Sequence, residues 1–277
     1  SSDLLGREDE FIRDRLERHR DPKGPIERRL TSGVTFIIKE SRTRDGGIAV
    51  TLTDITENKR AELLQKGRGK VLERLAAGAP LEEVLTLLVA ATEEVEPGML
   101  CSVSLLDKEG KRLLHGAAPR LPDFYNQAID GLEIGPAEGS CGAAAYTGER
   151  VVVADIMTHP YWAKGRKLAK KAKLRACWSQ PILSAADEVL GTFAIYYRQP
   201  REPDPSDLEL IEDAAHLAGI AIERKRAEEA LRESEERFRR IYENTPVMLN
   251  SIDKDARLLS VSDYWLETLG YEREEVL

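Results

Sequence analysis

Cysteine is scarce in this sequence: three residues in 277, at positions 101, 141 and 177. An odd, widely spaced set cannot form a disulfide framework, and it fits a reducing compartment, the cytoplasm. No CxxC, HxxxH or HExxH spacing occurs, so a metal centre has no recognisable ligand set. Long apolar runs are also missing. None approaches the ~20 residues needed to cross a bilayer, which leaves no membrane segment in this piece. The opening, SSDLLGREDEFIRDRLERHRD, is charged throughout and lacks the apolar stretch of a secretory signal. A net charge of −8 argues against general nucleic-acid binding. With 42% hydrophobic and 32% charged residues, the chain reads as folded and heavily solvated.

One charged tetrapeptide, KRAE, occurs twice, in ITENKRAELL (55–64) and in IERKRAEEAL (222–231). Each copy follows an apolar stretch and leads into a run with helical character. The chain opens as a helix up to DPKGP (21–25) and continues as a hairpin. Val34, Phe36 and Ile38 alternate on one arm, Ile48, Val50 and Leu52 on the other, and Asp45-Gly46-Gly47 supplies the turn. The helix that follows contains Gly67 and Gly69. Each costs a helix interior about 1 kcal/mol relative to Ala, so this connector should be weak or bent.

A mixed block runs from Leu72 to Arg198. PLEEVLTLLVAATEEV has helical periodicity, while MLCSVSLLD, RLLHGAA, RVVVADI, ACWSQPIL and VLGTFAIYYR are short and rich in β-formers. VLGTFAIYY has no polar alternation and belongs near the middle of a sheet covered on both faces. Next comes a helix of roughly 35 residues, opened by Pro205 and a capping box of Ser206 with Glu209, and closed at Asn244-Thr245-Pro246. In its second half Ala227, Leu231, Ser234, Phe238 and Ile241 recur at steps of 4 and 3 between dense Glu and Arg. That is the narrow stripe of a two-helix seam; a single solvated surface helix is the alternative. After Pro246 the pattern restarts as a strand pair and the helix DYWLETLG. Neither end holds enough residues to bury a core unaided, so both read as cut, and the chain reads as a middle piece of a longer protein.

These segments resemble known families. RTRDGGIAVTLTDITENKRAE resembles the end of a PAS domain, with Asp54-Ile55-Thr56 before the exit helix. ALRESEERFRRIYENTPVMLNSIDKDARLLSVSDYWLETLGYEREEVL resembles the start of another, with its S-E-E-R-F, a proline, a strand pair and a helix ending L-G-Y. Between them, GSCGAAAYTGERVVVADIMTHPYW and LRACWSQPILSAADEVLGTFAIYYRQPREP resemble a GAF domain of bacterial sensor proteins. The resemblance implies an α+β fold with an antiparallel GAF sheet of about six strands, packed helices and long connector helices. It implies a PAS end at 1–57, a connector at 58–71, a GAF domain at 72–222, a coiled-coil connector at 223–241 and a PAS beginning at 242–277. By resemblance the chain is the sensory and relay region of a cytoplasmic signal-transduction protein and not itself an enzyme. The parent implied is a two-component sensor histidine kinase, or else a diguanylate cyclase or phosphodiesterase. A parallel homodimer and a downstream output module in the same chain go with that reading. Each KRAE then marks a junction where a sensory domain hands over to a connecting helix.

The candidate sites cluster at 155–179. Asp155, Tyr161, Trp162, Cys177, Trp178 and Ser179 combine aromatic walls with a few polar groups, as a small-molecule pocket does; packing, and turn-capping by Asp155, are the alternatives. KGRKLAKKAKLR (164–175) carries seven basic residues and reads as a solvated helix with Leu168 and Ala172 inward. Cys141, in the GSCG segment, reads as a thiol in a tight turn and a candidate reactive group. Some GAF domains reduce free methionine sulfoxide through a cysteine in such a turn, but the resolving cysteine those enzymes carry after the next strand has no counterpart here. No cysteine is followed by histidine, against bilin attachment, and the N-K-F-D-E set of cyclic-nucleotide-binding GAF domains is not apparent. His115, His159 and His216 leave a single axial haem ligand open. No Walker loop, G-x-S-x-G, GGDEF, EAL or phosphoacceptor-histidine signature is present in the chain.

Overall fold

A computed structural model describes residues 24–30, 33–244 and 247–276. The helix expected ahead of DPKGP lies outside the described residues. Two compact units emerge, residues 1–221 and residues 222–277.

The first unit starts with an antiparallel sheet of three strands, β1 (Ile26–Arg29), β2 (Thr35–Arg42) and β3 (Ile48–Asp54). The expected hairpin is β2–β3, with Ile38 opposite Leu52 and Glu40 opposite Val50. Strand β1 is an addition that its charged sequence, IERR, does not announce. Asp54 then accepts from the backbone N–H and hydroxyl of Thr56, and helix α1 (Thr56–Ala76) begins.

Helix α1 runs without a break through both glycines. Gly67 is buried and faces helix α2 (Leu81–Glu93) so closely that a methyl group placed on it would stand 2.8 Å from the Ala91 side chain. The glycine lets two helices touch, and the packing it permits outweighs its poor propensity.

The core of the unit is one antiparallel sheet of six strands in the order β6-β5-β4-β9-β8-β7. They are β4 (Leu100–Leu106), β5 (Arg112–Ala117), β6 (Leu132–Glu133), β7 (Val151–Val153), β8 (Ala176–Leu183) and β9 (Val189–Tyr197). The all-apolar β9 lies between β4 and β8 and is buried along nearly its whole length, as its lack of alternation requires. One face of the sheet carries three short helices, α3 (Asp123–Ile129), α4 (Gly139–Thr147) and α5 (Arg166–Lys171). The other carries α2 and the first half of α6 (Pro205–Asn244). Helix α6 approaches β8 at Gly219, where an added methyl would meet the Leu183 carbonyl oxygen at 2.6 Å. This is an α+β fold of antiparallel sheet and packed helices.

The start of α6 corrects the expected capping box. Asp204, not Ser206, caps the helix: its Oδ1 accepts from Asp207 N–H at 2.9 Å, and Asp207 Oδ2 accepts from Asp204 N–H at 3.1 Å. The reciprocal pair is D-P-S-D, with Pro205 in the first turn, where a missing N–H does no harm.

In the second unit, strands β10 (Asn250–Ile252) and β11 (Leu258–Val261) pair antiparallel and lead into α7 (Asp263–Leu269) and α8 (Arg273–Val276). Ser262 caps α7 by accepting from Trp265 N–H, and Gly270 closes it in the left-handed conformation. Along α6, Leu231 and Phe238 are 62% and 68% exposed, and the Ile241 side chain lies outside the described residues. Among the described residues no helix is long and apolar enough to cross a membrane.

The two glycines of α1 make a paired test. Gly69 is exposed, with nothing within 4 Å of an added methyl, so Gly69→Ala should stabilise the chain by about 1 kcal/mol. Gly67→Ala should instead destabilise it by about 1–3 kcal/mol through overpacking. Thermal melts of both variants check this; equal shifts would mean that the α1–α2 contact carries no weight.

Candidate functional site

A cavity of about 280 Å³ lies between the sheet and helices α3, α4 and α5. Tyr125, Ile129, Tyr161, Trp162, Leu168 and Tyr196 give it its apolar and aromatic surface. Ser104, Glu138, Cys141 and Lys164 bring polar groups to the same space, and the Lys164 ammonium pairs with the Glu138 carboxylate. The size lies at the lower end of small-molecule sites, typically ~300–1,000 Å³.

The sheet supplies a polar floor. Antiparallel register aligns Leu100, Tyr196, Cys177 and Val153 in one row across β4, β9, β8 and β7. Ser102, Ala194, Ser179 and Val151 make the next row, and Ser104 opposite Thr192 the third. Hydroxyls and thiols therefore share one face with the cavity. Ser102 Oγ and Tyr196 OH are 3.3 Å apart, and the Tyr196 ring meets Tyr125 edge-on at 6.0 Å. Burial pushes both phenols well above their ordinary pKa, so they stay neutral donors.

Of the residues singled out in the sequence, the structure brings Tyr161, Trp162 and Cys141 to the cavity wall. Trp162 Nε1 donates to Ser140 Oγ at 2.9 Å, and Ser140 Oγ donates on to the Cys177 carbonyl at 3.3 Å. That chain ties the short 3₁₀ turn Pro160–Trp162 to α4 and β8. Cys141 stands in the first turns of helix α4, not in the tight turn expected from GSCG. Cys177 and Ser179 lie in the sheet directly behind it. Ser179 Oγ is 3.1 Å from Cys141 Sγ and 3.8 Å from Cys177 Sγ.

Trp178 and Asp155 do not line the cavity. Side chains alternate along β8, so Trp178 projects from the opposite face, between Tyr197 (ring centroids 5.0 Å apart) and Arg201. Its Nε1 donates to the Arg201 carbonyl at 3.2 Å. Asp155 caps the turn after β7 by accepting from Met157 N–H and pairs with Arg175 at 3.0 Å. The guanidinium, followed by that backbone donor, holds its carboxyl below the usual carboxylate range. Of the basic run, Ala169 and Ala172 are buried, Leu168 faces the cavity, and Lys171 sits over the Phe124 ring at 4.3 Å.

A second cluster forms on the Trp178 side. Asp207 is completely buried, and its two oxygens accept from Arg60 Nη2 at 3.1 Å and Arg201 Nη2 at 3.0 Å. Arg60 also donates to Ser206 Oγ at 2.6 Å, and Arg201 also pairs with Glu96. The Arg201 guanidinium lies 4.4 Å from the Tyr197 ring centroid, and Tyr197 OH donates to Glu96 at 3.2 Å. Arg60 is the arginine of the first KRAE. The cluster thus joins α1, β9, the loop after it and α6.

The GAF domain model matches residues 78–223, just over half of the chain. The chain belongs to the GAF domain family. Its six-stranded sheet with helices on both faces is the GAF domain of this protein. The methyl sulfide methyltransferase-associated sensor of Methanosarcina acetivorans is 47% identical over 227 residues. The match takes in 82% of this chain and 23% of the relative, so the chain spans about a quarter of that protein's length. Among solved structures, the GAF domain of a phosphoenolpyruvate-protein phosphotransferase from Coxiella burnetii is 23% identical, with a TM-score of 0.50. It covers 61% of this chain and 98% of its own, and shows the shared fold alone. The free methionine-R-sulfoxide reductase of Neisseria meningitidis, solved with its substrate, is 18% identical, covering 64% of this chain and 95% of its own at a TM-score of 0.49.

Proposed function

We propose that this chain is the sensory and relay segment of a multidomain cytoplasmic signalling protein, of the sensor histidine kinase type. In this reading a small molecule enters the GAF cavity and alters the packing of β8, and the change reaches the connecting helices. The observation that carries it is the alternation along β8. Ser179 touches Cys141 on the cavity side, while its neighbour Trp178 touches Arg201 on the connector side. One strand therefore serves both the cavity floor and the cluster that fastens α1 and α6. A relative named as a sensor supports the reading, and that name favours sensing over the reductase alternative. To act as a switch, the ligand must bind two connector states unequally, by a few kcal/mol.

The chain itself is read as a relay without catalytic activity, the output lying in a kinase module elsewhere in the parent. The hairpin at 1–57 and the strand pair with its helices at 242–277 are read as partial PAS domains, and 58–71 and 223–241 as connectors. Exposed Leu231 and Phe238, each four residues after Ala227 and Ser234 respectively, support a parallel homodimer through the second half of α6.

Two results are expected. Titrating a metabolite library into the chain should give saturable quenching of tryptophan fluorescence that survives Trp178→Phe and is lost in Trp162→Phe. Quenching untouched by Trp162→Phe, or none with any compound, contradicts a cavity ligand. Sedimentation equilibrium at tens of micromolar should give a dimer that Leu231→Glu with Phe238→Glu converts to a monomer; a monomeric unmodified chain removes the seam.

A further inference from the structure

The cavity wall contains a feature that ligand binding does not use. Two free thiols, Cys141 and Cys177, come together on either side of the Ser179 hydroxyl. Cys141 is 9% exposed and lines the cavity, and Cys177 is fully buried behind it. The Cys141 sulphur lies 3.1 Å from Ser179 Oγ and 3.6 Å from the Tyr196 hydroxyl, and the same Ser179 Oγ lies 3.8 Å from the Cys177 sulphur. Across the same floor the Thr192 hydroxyl is completely buried and, among the described residues, has no conventional hydrogen-bond partner; Thr192 faces Ser104, which lines the cavity. A floor of neighbouring sulphurs and hydroxyls, one of them unsatisfied, is an unusual lining for an inert core.

The two sulphurs are also unequal. The neighbouring Cys177 thiol, reinforced by the Ser179 and Tyr196 hydroxyls against the opposing effect of burial, favours the thiolate at Cys141. Burial pushes the Cys177 thiol up. The pair thus has an attacking sulphur on the cavity side and a protonated one behind it. Cys101, the third thiol, is fully buried and held well above its ordinary pKa by burial and by Glu93.

We infer that Cys141 and Cys177 form an oxidisable pair, in which Cys141 reacts with a hydroperoxide admitted to the cavity and Cys177 resolves the product to a disulfide between helix α4 and strand β8. In the first step the Cys141 thiolate attacks the terminal peroxide oxygen. An S–O bond forms, the O–O bond breaks, and the leaving oxygen takes up the proton that Cys141 gave up, releasing an alcohol or water. In the second, Cys177 sulphur attacks the sulphenic sulphur. The S–S bond forms, the S–O bond breaks, and hydroxide leaves with the Cys177 proton as water. Two thiols lose two electrons, and the hydroperoxide gains them. The thiolate is the nucleophile in such exchange, which is why the cavity-side position of Cys141 matters. The inference rests on the cavity being the sensory site, and adds a covalent way to set it.

The test is intact mass and thiol counting on the full chain after treatment with hydrogen peroxide. The expected product is two hydrogens lighter, keeps one titratable thiol, and yields a cross-linked 141–177 peptide that dithiothreitol opens. Cys177→Ser should stop at a sulphenic acid on Cys141 that dimedone captures, and Cys141→Ser should slow thiol loss by at least about tenfold. Cys101→Ser, outside the pair, should behave as the unmodified chain and shows that a buried Cys→Ser change does not by itself remove the reaction. Oxidation of all three cysteines at similar rates, or of none short of unfolding, overturns the inference. The tryptophan titration reads ligand binding separately: a disulfide without any ligand upholds the pair and removes the ligand, and quenching without a disulfide does the reverse.

Discussion

A buried carboxylate with two arginines governs how this chain is put together. Asp207 has no contact with solvent, so its charge must be met inside the protein, and Arg60 and Arg201 meet it from different elements. The same carboxylate caps α6 through Asp204. Removing it would leave two guanidiniums facing each other at a helix start, so position and charge are fixed together. Helix α1, the loop after β9 and the start of α6 all meet at this residue. That gives the first KRAE a physical role: its arginine ties helix α1 to the start of α6. The second copy behaves differently. Its Lys225 pairs with Glu228 within one turn of α6 and ties nothing distant together.

The sheet separates two environments a single residue apart. On one face lie the hydroxyls and thiols beneath the cavity; on the other lie Trp178, Tyr197 and Arg201. A change on the cavity face bears on the other through the shared strand, because the densely packed Trp178 face has little room to absorb it. Gly219 adds to this by letting α6 rest against the β8 backbone. The proposed disulfide would act at the same strand from the cavity side, and so bear on the same junction.

Much of the architecture is legible in the sequence because its signals are local. Runs of β-formers mark five of the six strands, and β9 shows its central position by lacking polar residues. Helix α4 escapes notice because GSCGAAAYT has no apolar periodicity; its residues are small so that the helix can lie on β8. Strand β6 is two residues long, and α3 is one of the short helices, too brief to establish a period. The candidate site is legible in part. Tyr161, Trp162 and Cys141 reach the cavity, whereas Trp178 is drawn in only by its adjacency to Cys177 and Ser179. The period of two along a strand is the signal that separates them. Tyr125 and Tyr196 go unnoticed, since which face of an apolar strand or helix they occupy depends on the register of distant partners. Asp207 is hidden for the same reason: nothing near it in sequence announces Arg60.

The central claim is that the Asp207 cluster fastens helix α1 and the start of helix α6 to the sheet. Hydrogen exchange of the full chain, comparing it with Asp207→Asn, tests this directly. The account predicts faster exchange at the start of α6 together with the Arg60 region of α1, while β4 and β9 keep their protection. Faster exchange confined to the first turn of α6 would mean that Asp207 is only a helix cap, and would contradict the account.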